Sequence, residues 1–325
     1  MGPARLSVVI PSHDTRELTL RCLGAIEKAM AAGVEVVLVD DGSRDDTAGA
    51  VRDRFPAVRV LRHDAAQGFT ASANDGLRSA GGDVLLLLNS DTEADGDALA
   101  RLVEAFAGDP RLGIASPRLR NPDVSPQWSG GATPTLAWLF LLASGLPAAL
   151  EGVPGYRVLR PLRSEAGGRL DWVTGAAMAI RRQTWDEVGP LDARFRLYAQ
   201  DLDFCLRAKD AGWHVRLVRE ARVVHVGGAT IGRRSGAARP RSHPGLLWTD
   251  LLRWAEKRHG RRWALAAARR LTLGGRLRLI ARVVACRLLP PRHRAEWGRD
   301  TEAFRQALDE VRRWRDEAHS PRQPG

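Results

Sequence analysis

The sequence predicts an α/β protein with a mostly parallel central sheet flanked by helices, followed by a basic helical extension. Short apolar runs alternate with helical patterns over about the first 230 residues, as in doubly wound sheets. The run from Val84 to Leu88 has five apolar residues in succession, which is typical of a strand buried on both faces of a parallel sheet. Polar residues come directly after several of these runs, as they do where a strand ends and a loop begins.

The elements follow in order along the chain. Predicted strands cover residues 6–10, 34–39, 58–61, 84–88, 113–117 and 170–180, and a last one ends at His225. Predicted helices cover residues 17–32, a stretch from 44, residues 68–80, one apolar segment within the loop region 121–168, and a stretch that begins near Asp201. Pro11 is expected to stop the first strand. Gly33 is a suitable C-cap for the first helix, and the glycine inside the 170–180 strand indicates a bulge or a close approach by a ligand.

Composition narrows the class and the compartment. The 325 residues are 44% hydrophobic, which suits a globular core. Three scattered cysteines without a CxxC spacing argue against a disulfide scaffold or zinc module and suit a reducing cytoplasm. No secretory signal is visible. The longest apolar run, residues 136–150, contains Pro147 and is shorter than the about 20 residues of a membrane span. We therefore expect a cytoplasmic protein.

The positive charge is concentrated at the C-terminal end. Residues 1–230 hold 27 basic and 29 acidic side chains, whereas residues 231–325 hold 23 and 9. This tail is expected to bind an anionic membrane surface, although a solvated arginine-rich surface stays open. No nucleic-acid-binding signature is present, so nucleic acid is not expected. The predicted domains are an α/β domain over 1–232, a basic flexible loop over 233–245, and a helical region over 246–325, in which Gly274 and Gly275 interrupt the second helix.

Carboxylates follow two of the predicted strands. Asp40 and Asp41 end the second strand, and Asn89-Ser90-Asp91 ends the fourth, at the sheet edge where ligands bind in open α/β folds. Asp45 and Asp46 are better helix caps, so Asp40 and Asp41 are expected to be free for a base N–H, ribose hydroxyls or a cation. Asp91 could hold a divalent cation and through it a diphosphate, or simply start a turn.

Two later residues are candidates for chemistry. Asp201 begins a helix, where the free N–H groups favour an ionised carboxylate that could accept a proton from an alcohol. Taken by itself, the residue is better explained as a plain N-cap. His225 ends a strand before two glycines and could join Asp91 at a metal such as manganese, or be structural. No GxGxxG follows the first strand, which argues against a dinucleotide-binding Rossmann enzyme.

Seven ordered motifs within residues 5–232 resemble family 2 glycosyltransferases, and more closely their rhamnosyltransferase-like branch. They are Ile10-Pro11-Ser12, Val39-Asp40-Asp41-Gly42-Ser43, Gly68-Phe69 with Asn74 and Gly76, Leu88-Asn89-Ser90-Asp91-Thr92, Thr174-Gly175-Ala176, Gln200-Asp201-Leu202-Asp203 and His225-Val226-Gly227-Gly228. The resemblance implies the glycosyltransferase A fold, a nucleoside-diphosphate sugar donor, Mn²⁺ or Mg²⁺, and inversion. It also implies a glycan or lipid-linked acceptor in bacterial cell-surface polysaccharide or glycolipid assembly. Because a lipid-linked acceptor would lie there, we expect the basic C-terminal helices to attach the protein peripherally to the inner face of the membrane.

The resemblance also implies residue roles. Asp41 would meet the donor base, with Pro11 lining the same pocket. Asp91 and His225 would ligate the metal, and Asp201 would be the catalytic base. Asn89 and Ser90 would face the ribose.

Three positions depart from the family pattern. Asn89 replaces an acidic residue, Gln67 lies where Asn is common, and Gln200 replaces the Glu that usually precedes the base. Because Gln200 removes a charge beside Asp201, a catalytically silent sugar-nucleotide-binding or scaffold protein remains an alternative. A basic polyanion-binding protein is a second, which the charge-balanced first 230 residues disfavour.

Overall fold

The structure is a computed structural model that describes residues 4–94, 96–146, 170–227, 243–288 and 291–319. It divides into two compact units. The first contains residues 1–132, 163–196 and 200–241, and the second contains residues 133–162, 197–199 and 242–325. The predicted basic loop over 233–245 lies, except for its last three residues, outside the described part of the chain.

The first unit alternates strands and helices. Its elements are β1 (Leu6–Ser12), α1 (Arg16–Ala25), α2 (Glu27–Ala31), β2 (Glu35–Asp40), α3 (Thr47–Arg54), β3 (Arg59–Arg62), α4 (Phe69–Ser79), β4 (Val84–Leu88), β5 (Thr92–Ala94), α5 (Gly96–Ala107), β6 (Leu112–Arg120), β7 (Gly130–Gly131), β8 (Trp172–Val173), β9 (Ala177–Arg181), α7 (Arg182–Val188), α8 (Gln200–Asp210) and β10 (His214–His225). The second unit holds α6 (Leu136–Ser144), α9 (Pro244–His259), α10 (Arg261–Leu288) and α11 (Pro291–His319).

Eight strands form one sheet in the order β3-β2-β1-β4-β9-β6-β10-β5. The strands β1 to β4 run parallel to one another, and β6 runs parallel to β10. Only β9, between β4 and β6, and β5, at the β10 edge, are antiparallel. The predicted mostly parallel sheet with flanking helices is therefore confirmed.

The strand β4 lies in the middle of this sheet, between β1 and β9. All five of its residues are buried, as the unbroken apolar run predicts. The first strand is longer than predicted, because β1 continues through Pro11 to Ser12. Proline is tolerated there since the pairing of β1 with β4 ends at Val9, so one side of the strand carries no ladder bonds at Pro11.

Two of the predicted elements are interrupted. The single strand over 170–180 is wrong: β8 and β9 are separated by a turn at 174–176, whose Gly175 N–H donates to the Asp201 side chain instead of a neighbouring strand. The helix over 17–32 breaks at Ile26 into α1 and α2.

The prediction that Gly274 and Gly275 interrupt the second helix of the C-terminal region is wrong. Helix α10 runs without a break through Gly274 and Gly275. A Cβ at Gly274 would lie 2.5 Å from the Phe140 carbonyl oxygen, and one at Gly275 would lie 2.7 Å from the Trp248 ring. These glycines therefore allow close packing of α10 on its neighbours rather than ending it. Within the described residues, no helix is long and apolar enough to cross a bilayer.

The close approach of α4 to the sheet gives a stability prediction. A Cβ at Gly76 would lie 2.3 Å from Val9 Cγ1 and 2.9 Å from Val39 Cγ2, whereas one at Gly24, in α1, would meet nothing within 4 Å. We expect Gly76→Ala to destabilise the protein by about 1–3 kcal/mol through overpacking. Gly24→Ala is the matched control and should stabilise by up to about 1 kcal/mol. Urea unfolding of both variants measures the difference; equal effects would contradict the packing argument.

Candidate active site

The carboxyl ends of β1, β2 and β4 meet at one edge of the sheet because the three strands are parallel. The loops that follow β1 and β2 are bonded to each other there. Arg44 N–H donates to Asp14 Oδ1 at 2.7 Å, and Arg16 N–H donates to Asp45 Oδ2 at 2.8 Å. These charge-assisted bonds hold two neighbouring strand ends in one rigid frame.

Asp40 and Asp41 are not free, contrary to the prediction. Asp40 Oδ2 lies 3.2 Å from Arg62 Nη1, and its Oδ1 accepts the Ser43 N–H at 3.0 Å. Asp41 Oδ1 accepts the Gln67 N–H at 2.8 Å, and its Oδ2 accepts the Gly68 N–H at 2.9 Å. The pair is stable without a ligand because backbone donors and a guanidinium match both carboxylates.

The loop over residues 63–68 is what Asp41 holds. Burial by itself would raise the pKa of Asp41, but the Gln67 N–H, the His63 ring and the Gly68 N–H together keep that pKa below its ordinary value. The backbone of this loop also packs directly on Gly42, where a Cβ would lie 2.8 Å from the Ala65 carbonyl carbon. Asp41 is therefore an ionised anchor at the end of β2.

His63 was missed by the sequence reasoning. Its Nδ1 lies 2.9 Å from Asp41 Oδ1 and its Nε2 lies 3.2 Å from Asp75 Oδ2, and only 11% of its side chain is exposed. The residue directly follows β3, so the rule that polar residues at strand ends mark a site could have found it. It ties the Asp41 carboxylate to helix α4, which carries Asp75.

Asp91 and His225 lie together. The strand β5 runs antiparallel to β10 with Thr92 opposite His225, and the Val226 N–H donates to the Asp91 carbonyl at 2.9 Å. This pairing places His225 Nε2 3.2 Å from Asp91 Oδ1, with both side chains mostly buried. The short strand β5 was not predicted, although it is what turns the chain after Asp91 towards the histidine.

Gln127, also missed, orients the imidazole. Its Nε2 donates to Asn121 Oδ1 at 2.9 Å and to the His225 carbonyl at 3.1 Å, so its Oε1 is the atom 2.7 Å from His225 Nδ1. An accepting Oε1 requires a proton on Nδ1. In the neutral ring, the Nε2 lone pair then lies beside the Asp91 carboxylate, and two such acceptors require a cation or a proton between them.

This donor set fits a divalent cation. A carboxylate with an imidazole whose other nitrogen donates to an oxygen is a common ligand arrangement for ions such as Mn²⁺. Within the described residues, no group of three or more His, Cys, Asp or Glu side chains could hold a metal. The remaining ligands would therefore come from a bound molecule or water. Asn89 Oδ1, two residues before Asp91, is buried without a hydrogen-bond partner in the described residues.

Asp201 lies in the first turn of α8, as predicted, but not at the N-cap, because the helix starts at Gln200. Its Oδ2 accepts the Gly175 N–H at 2.8 Å and its Oδ1 accepts the Leu202 N–H at 2.8 Å. The residue keeps some exposed surface. Crowding of protein atoms around the carboxylate nevertheless raises its pKa above the ordinary value, and the two N–H donors only partly oppose this.

The turn at 174–176 connects this carboxylate to the end of β4. One side of the turn donates to Asp201, and on the other side the Ala176 carbonyl accepts the Asn89 N–H at 2.9 Å. Asp201 and the Asn89–Asp91 segment therefore flank the same turn. Gln200, at the start of α8, is buried, and its Oε1 has no hydrogen-bond partner in the described part of the chain.

Comparisons with known proteins agree with this architecture. Residues 7–161 match the family model described as Glycosyl transferase family 2. An N-acetylglucosaminyl-diphospho-decaprenol L-rhamnosyltransferase of Mycobacterium tuberculosis is 29% identical over 290 residues, covering 84% of this chain and 91% of the relative. The O-antigen biosynthesis protein RfbC of Myxococcus xanthus is 26% identical over 235 residues, covering 69% of this chain and 17% of that protein.

A solved structure supports the fold. The crystal structure of GalNAc-T7 with UDP, GalNAc and Mn²⁺ superposes with a TM-score of 0.53 at 20% sequence identity, covering 73% of this chain and 45% of that one. With the mixed, mostly parallel sheet, this match confirms the glycosyltransferase A fold. At this identity the likeness concerns the fold alone.

The hydrogen bonds of Asp41 predict a pH-dependent contribution to stability. Because folding lowers the pKa of Asp41, its stabilisation is present above the unfolded-state value of about 3.8 and is lost as pH falls through the folded-state value. We expect Asp41→Asn to destabilise the protein by about 1–3 kcal/mol at pH 7, since an amide leaves buried donors unmatched. The difference in unfolding free energy between the wild type and Asp41→Asn should become smaller at acidic pH.

Urea unfolding of the wild type and Asp41→Asn at pH 7 and at successively lower pH tests this. Asp53→Asn, which changes an exposed aspartate of α3, is the matched control and should leave stability unchanged at every pH. A loss for Asp41→Asn that is the same across the whole range would show that the ionised carboxylate does not anchor the loop.

Proposed function

We propose that the chain is a family 2 glycosyltransferase that transfers a sugar, with inversion, from a nucleoside-diphosphate sugar to an acceptor hydroxyl in glycan assembly. The single observation that carries this proposal is the pairing of Asp91 with His225 at the edge of the sheet, with Asp201 across the 174–176 turn. Such a site offers a cation-binding pair and a separate carboxylate base, which are the two groups that a metal-dependent inverting transfer would use. The resemblance to named glycosyltransferases favours an enzyme over a silent binding protein.

The proposed donor and acceptor follow the relative that matches most of both chains. That relative is named as a transferase of L-rhamnose to N-acetylglucosaminyl-diphospho-decaprenol. We infer a hexose or deoxyhexose donor, with rhamnose as the first sugar to test, and a glycan or lipid-linked acceptor. Such an acceptor would place the protein in the cytoplasm, peripheral on the inner face of the cell membrane.

The donor would lie along the carboxyl edge of the sheet. Asp41 would receive the base, and Pro11 of the neighbouring strand β1 would line the same pocket. Bonds to His63, Gln67 and Gly68 already occupy most of the acceptor capacity of the Asp41 carboxylate. Asn89 and Ser90 would face the ribose, and the unmatched Asn89 Oδ1 is an acceptor for a ribose hydroxyl. The Ser90 hydroxyl is held by the Thr15 hydroxyl at 3.0 Å.

Asp91 and His225 would hold Mn²⁺ or Mg²⁺, which when bound supplies positive charge against the negative charge of a diphosphate leaving group. Gln127 keeps the His225 proton on Nδ1, so that Nε2 stays an acceptor on the side of Asp91. The burial of both side chains strengthens every electrostatic contact made there, because water does not screen it.

Asp201 would act as the base. Its carboxylate takes the proton from the acceptor hydroxyl while the acceptor oxygen bonds to the anomeric carbon and the bond from that carbon to the diphosphate breaks. One displacement with one base inverts the configuration. The raised pKa of Asp201 brings its basicity closer to that of an efficient proton acceptor near neutral pH. The Gly175 and Leu202 N–H groups hold the carboxylate in place for this step.

We expect Asp201→Asn to lower kcat by about 10²–10⁴-fold, the usual contribution of a general base, with the dissociation constant of the donor nearly unchanged. In the wild type, the rate should fall with decreasing pH at a higher pH than for an ordinary aspartate, because the base must be ionised and its pKa is raised. Steady-state kinetics with a panel of nucleotide sugars, with calorimetric donor titration, measures both. Asp210→Asn, at the exposed end of the same helix, is the control. Loss of donor affinity with turnover preserved would contradict the base role.

We expect Asp91→Ala to abolish the binding of donor that depends on Mn²⁺, because it removes the carboxylate of the cation-binding pair. Calorimetric titration of donor with and without Mn²⁺ gives the result directly. Glu93→Ala alters an exposed carboxylate two residues away and should bind as the wild type does. If the binding of donor still depends on Mn²⁺ in Asp91→Ala as it does in the wild type, Asp91 does not bind the cation.

A further inference from the structure

One face of α10 exposes a row of aliphatic side chains. Leu273, Leu277, Ile280 and Val284 are 54%, 41%, 62% and 53% exposed. Their spacing of four, three and four residues places them on one side of the helix. Among the described residues, the one other large hydrophobic side chain with such exposure is Val124, which belongs to the first unit. The apolar row is therefore a concentrated feature rather than the scatter expected of an ordinary surface.

Arginines surround the apolar row. Helix α10 contains eight arginines and no acidic residue. Arg269, Arg276 and Arg287 each stand three or four positions from a member of the row and are exposed, so they lie along its border. Within the described chain, these three make no ion pair with a carboxylate. The face thus combines an apolar centre with unneutralised guanidinium groups.

A cavity of about 320 Å³ beside the row carries the same charge. It lies between α10 and α11, and the charged side chains that line it are Arg276, Arg305, Arg312, Arg315 and Asp309. Arg276 belongs to both the cavity and the border of the apolar row. Arg305 and Arg312 pair with Glu302 at 3.2 Å and with Asp309 at 3.6 Å, but such exposed pairs within one helix are weak and exchange readily for a stronger anion.

We propose that this face of α10 and α11 docks on the surface of an anionic phospholipid bilayer. The apolar row enters the boundary between head groups and acyl chains, and the bordering guanidinium groups bind lipid phosphates. The arginine-lined cavity accommodates one anionic head group, whose phosphate oxygens suit the planar donors of arginine. The proposal rests on the proposed function in one respect: docking on a bilayer would bring the enzyme to a lipid-linked acceptor. Its test requires no sugar transfer.

Other occupants fit the face less well. A second copy would bring arginine-bordered surfaces of the same sign together. Four half-exposed side chains would also bury far less than the about 800 Å² per partner of a stable interface. Nucleic acid would match the charge but would leave the aliphatic row in water. A bilayer surface satisfies both parts of the face at once.

Flotation of the full chain with vesicles tests the proposal. We expect the wild type to float with vesicles that contain phosphatidylglycerol and to bind vesicles of pure phosphatidylcholine at least tenfold less. The double variant Leu277→Gln and Ile280→Gln should lose flotation at low and high salt, because the apolar row no longer enters the bilayer. The double variant Arg276→Gln and Arg312→Gln should float less than the wild type at low salt, and this difference should shrink at high salt, where salt screens the electrostatic attraction in both proteins.

The controls are Val124→Gln and Arg52→Gln, which change an exposed aliphatic residue and an exposed arginine of the first unit and should float as the wild type does. Thermal unfolding verifies that all variants fold. Wild type that does not float, or variants of α10 that float unchanged, would overturn the proposal. So would a dimer, seen by light scattering, that Leu277→Gln and Ile280→Gln dissociate.

The same preparations separate this proposal from the proposed function. Transfer to a soluble acceptor should be equal in the wild type and the α10 variants, so lost flotation with retained transfer supports the docking face alone. Flotation without transfer from any nucleotide sugar would leave the docking face standing and contradict the enzyme.

Discussion

Carboxylates buried at the carboxyl edge of a sheet must be matched by donors, and this requirement organises the first unit. Asp41 draws in the backbone of residues 63–68, Asp201 draws in the 174–176 turn, and Asp91 lies against His225. Each match joins a strand or helix end to a part of the chain that is distant in sequence. An unmatched charge at any of these positions would cost several kcal/mol, which is a large fraction of the free energy of unfolding of a typical domain.

The matched carboxylates differ in character. Asp41 accepts enough hydrogen bonds that its pKa falls, whereas burial dominates at Asp201 and raises its pKa. The first is suited to stay ionised and hold a loop, and the second is suited to exchange a proton. Separation of the two pKa values by environment lets one residue type serve for binding and for chemistry in the same unit. The buried, unmatched oxygens of Asn89 and Gln200 are the polar atoms that a bound molecule could satisfy.

The second unit follows another constraint. Its long helix α10 packs closely on α6 and α9 by means of Gly274 and Gly275, which leaves the opposite side of the helix to present aliphatic and arginine side chains. Part of the positive charge of the C-terminal region therefore lies on one surface, beside an apolar row and around a cavity lined mainly by arginines. Composition revealed the charge but not this arrangement.

The sequence by itself determined most of the parallel strands and their helices, and the strand ends at which polar residues gather. Five apolar residues from Val84 to Leu88 required a central strand, and the position of Asp91 after it required a carboxylate at the ligand-binding edge, because both follow from local periodicity. The tertiary structure alone decided which distant groups meet. The roles of His63 and Gln127, the engagement of Asp40 and Asp41, the turn at Gly175 and the continuity of α10 all depend on contacts across tens of residues. Such contacts join residues that are distant in the sequence, so a local periodicity does not reveal which of them will meet.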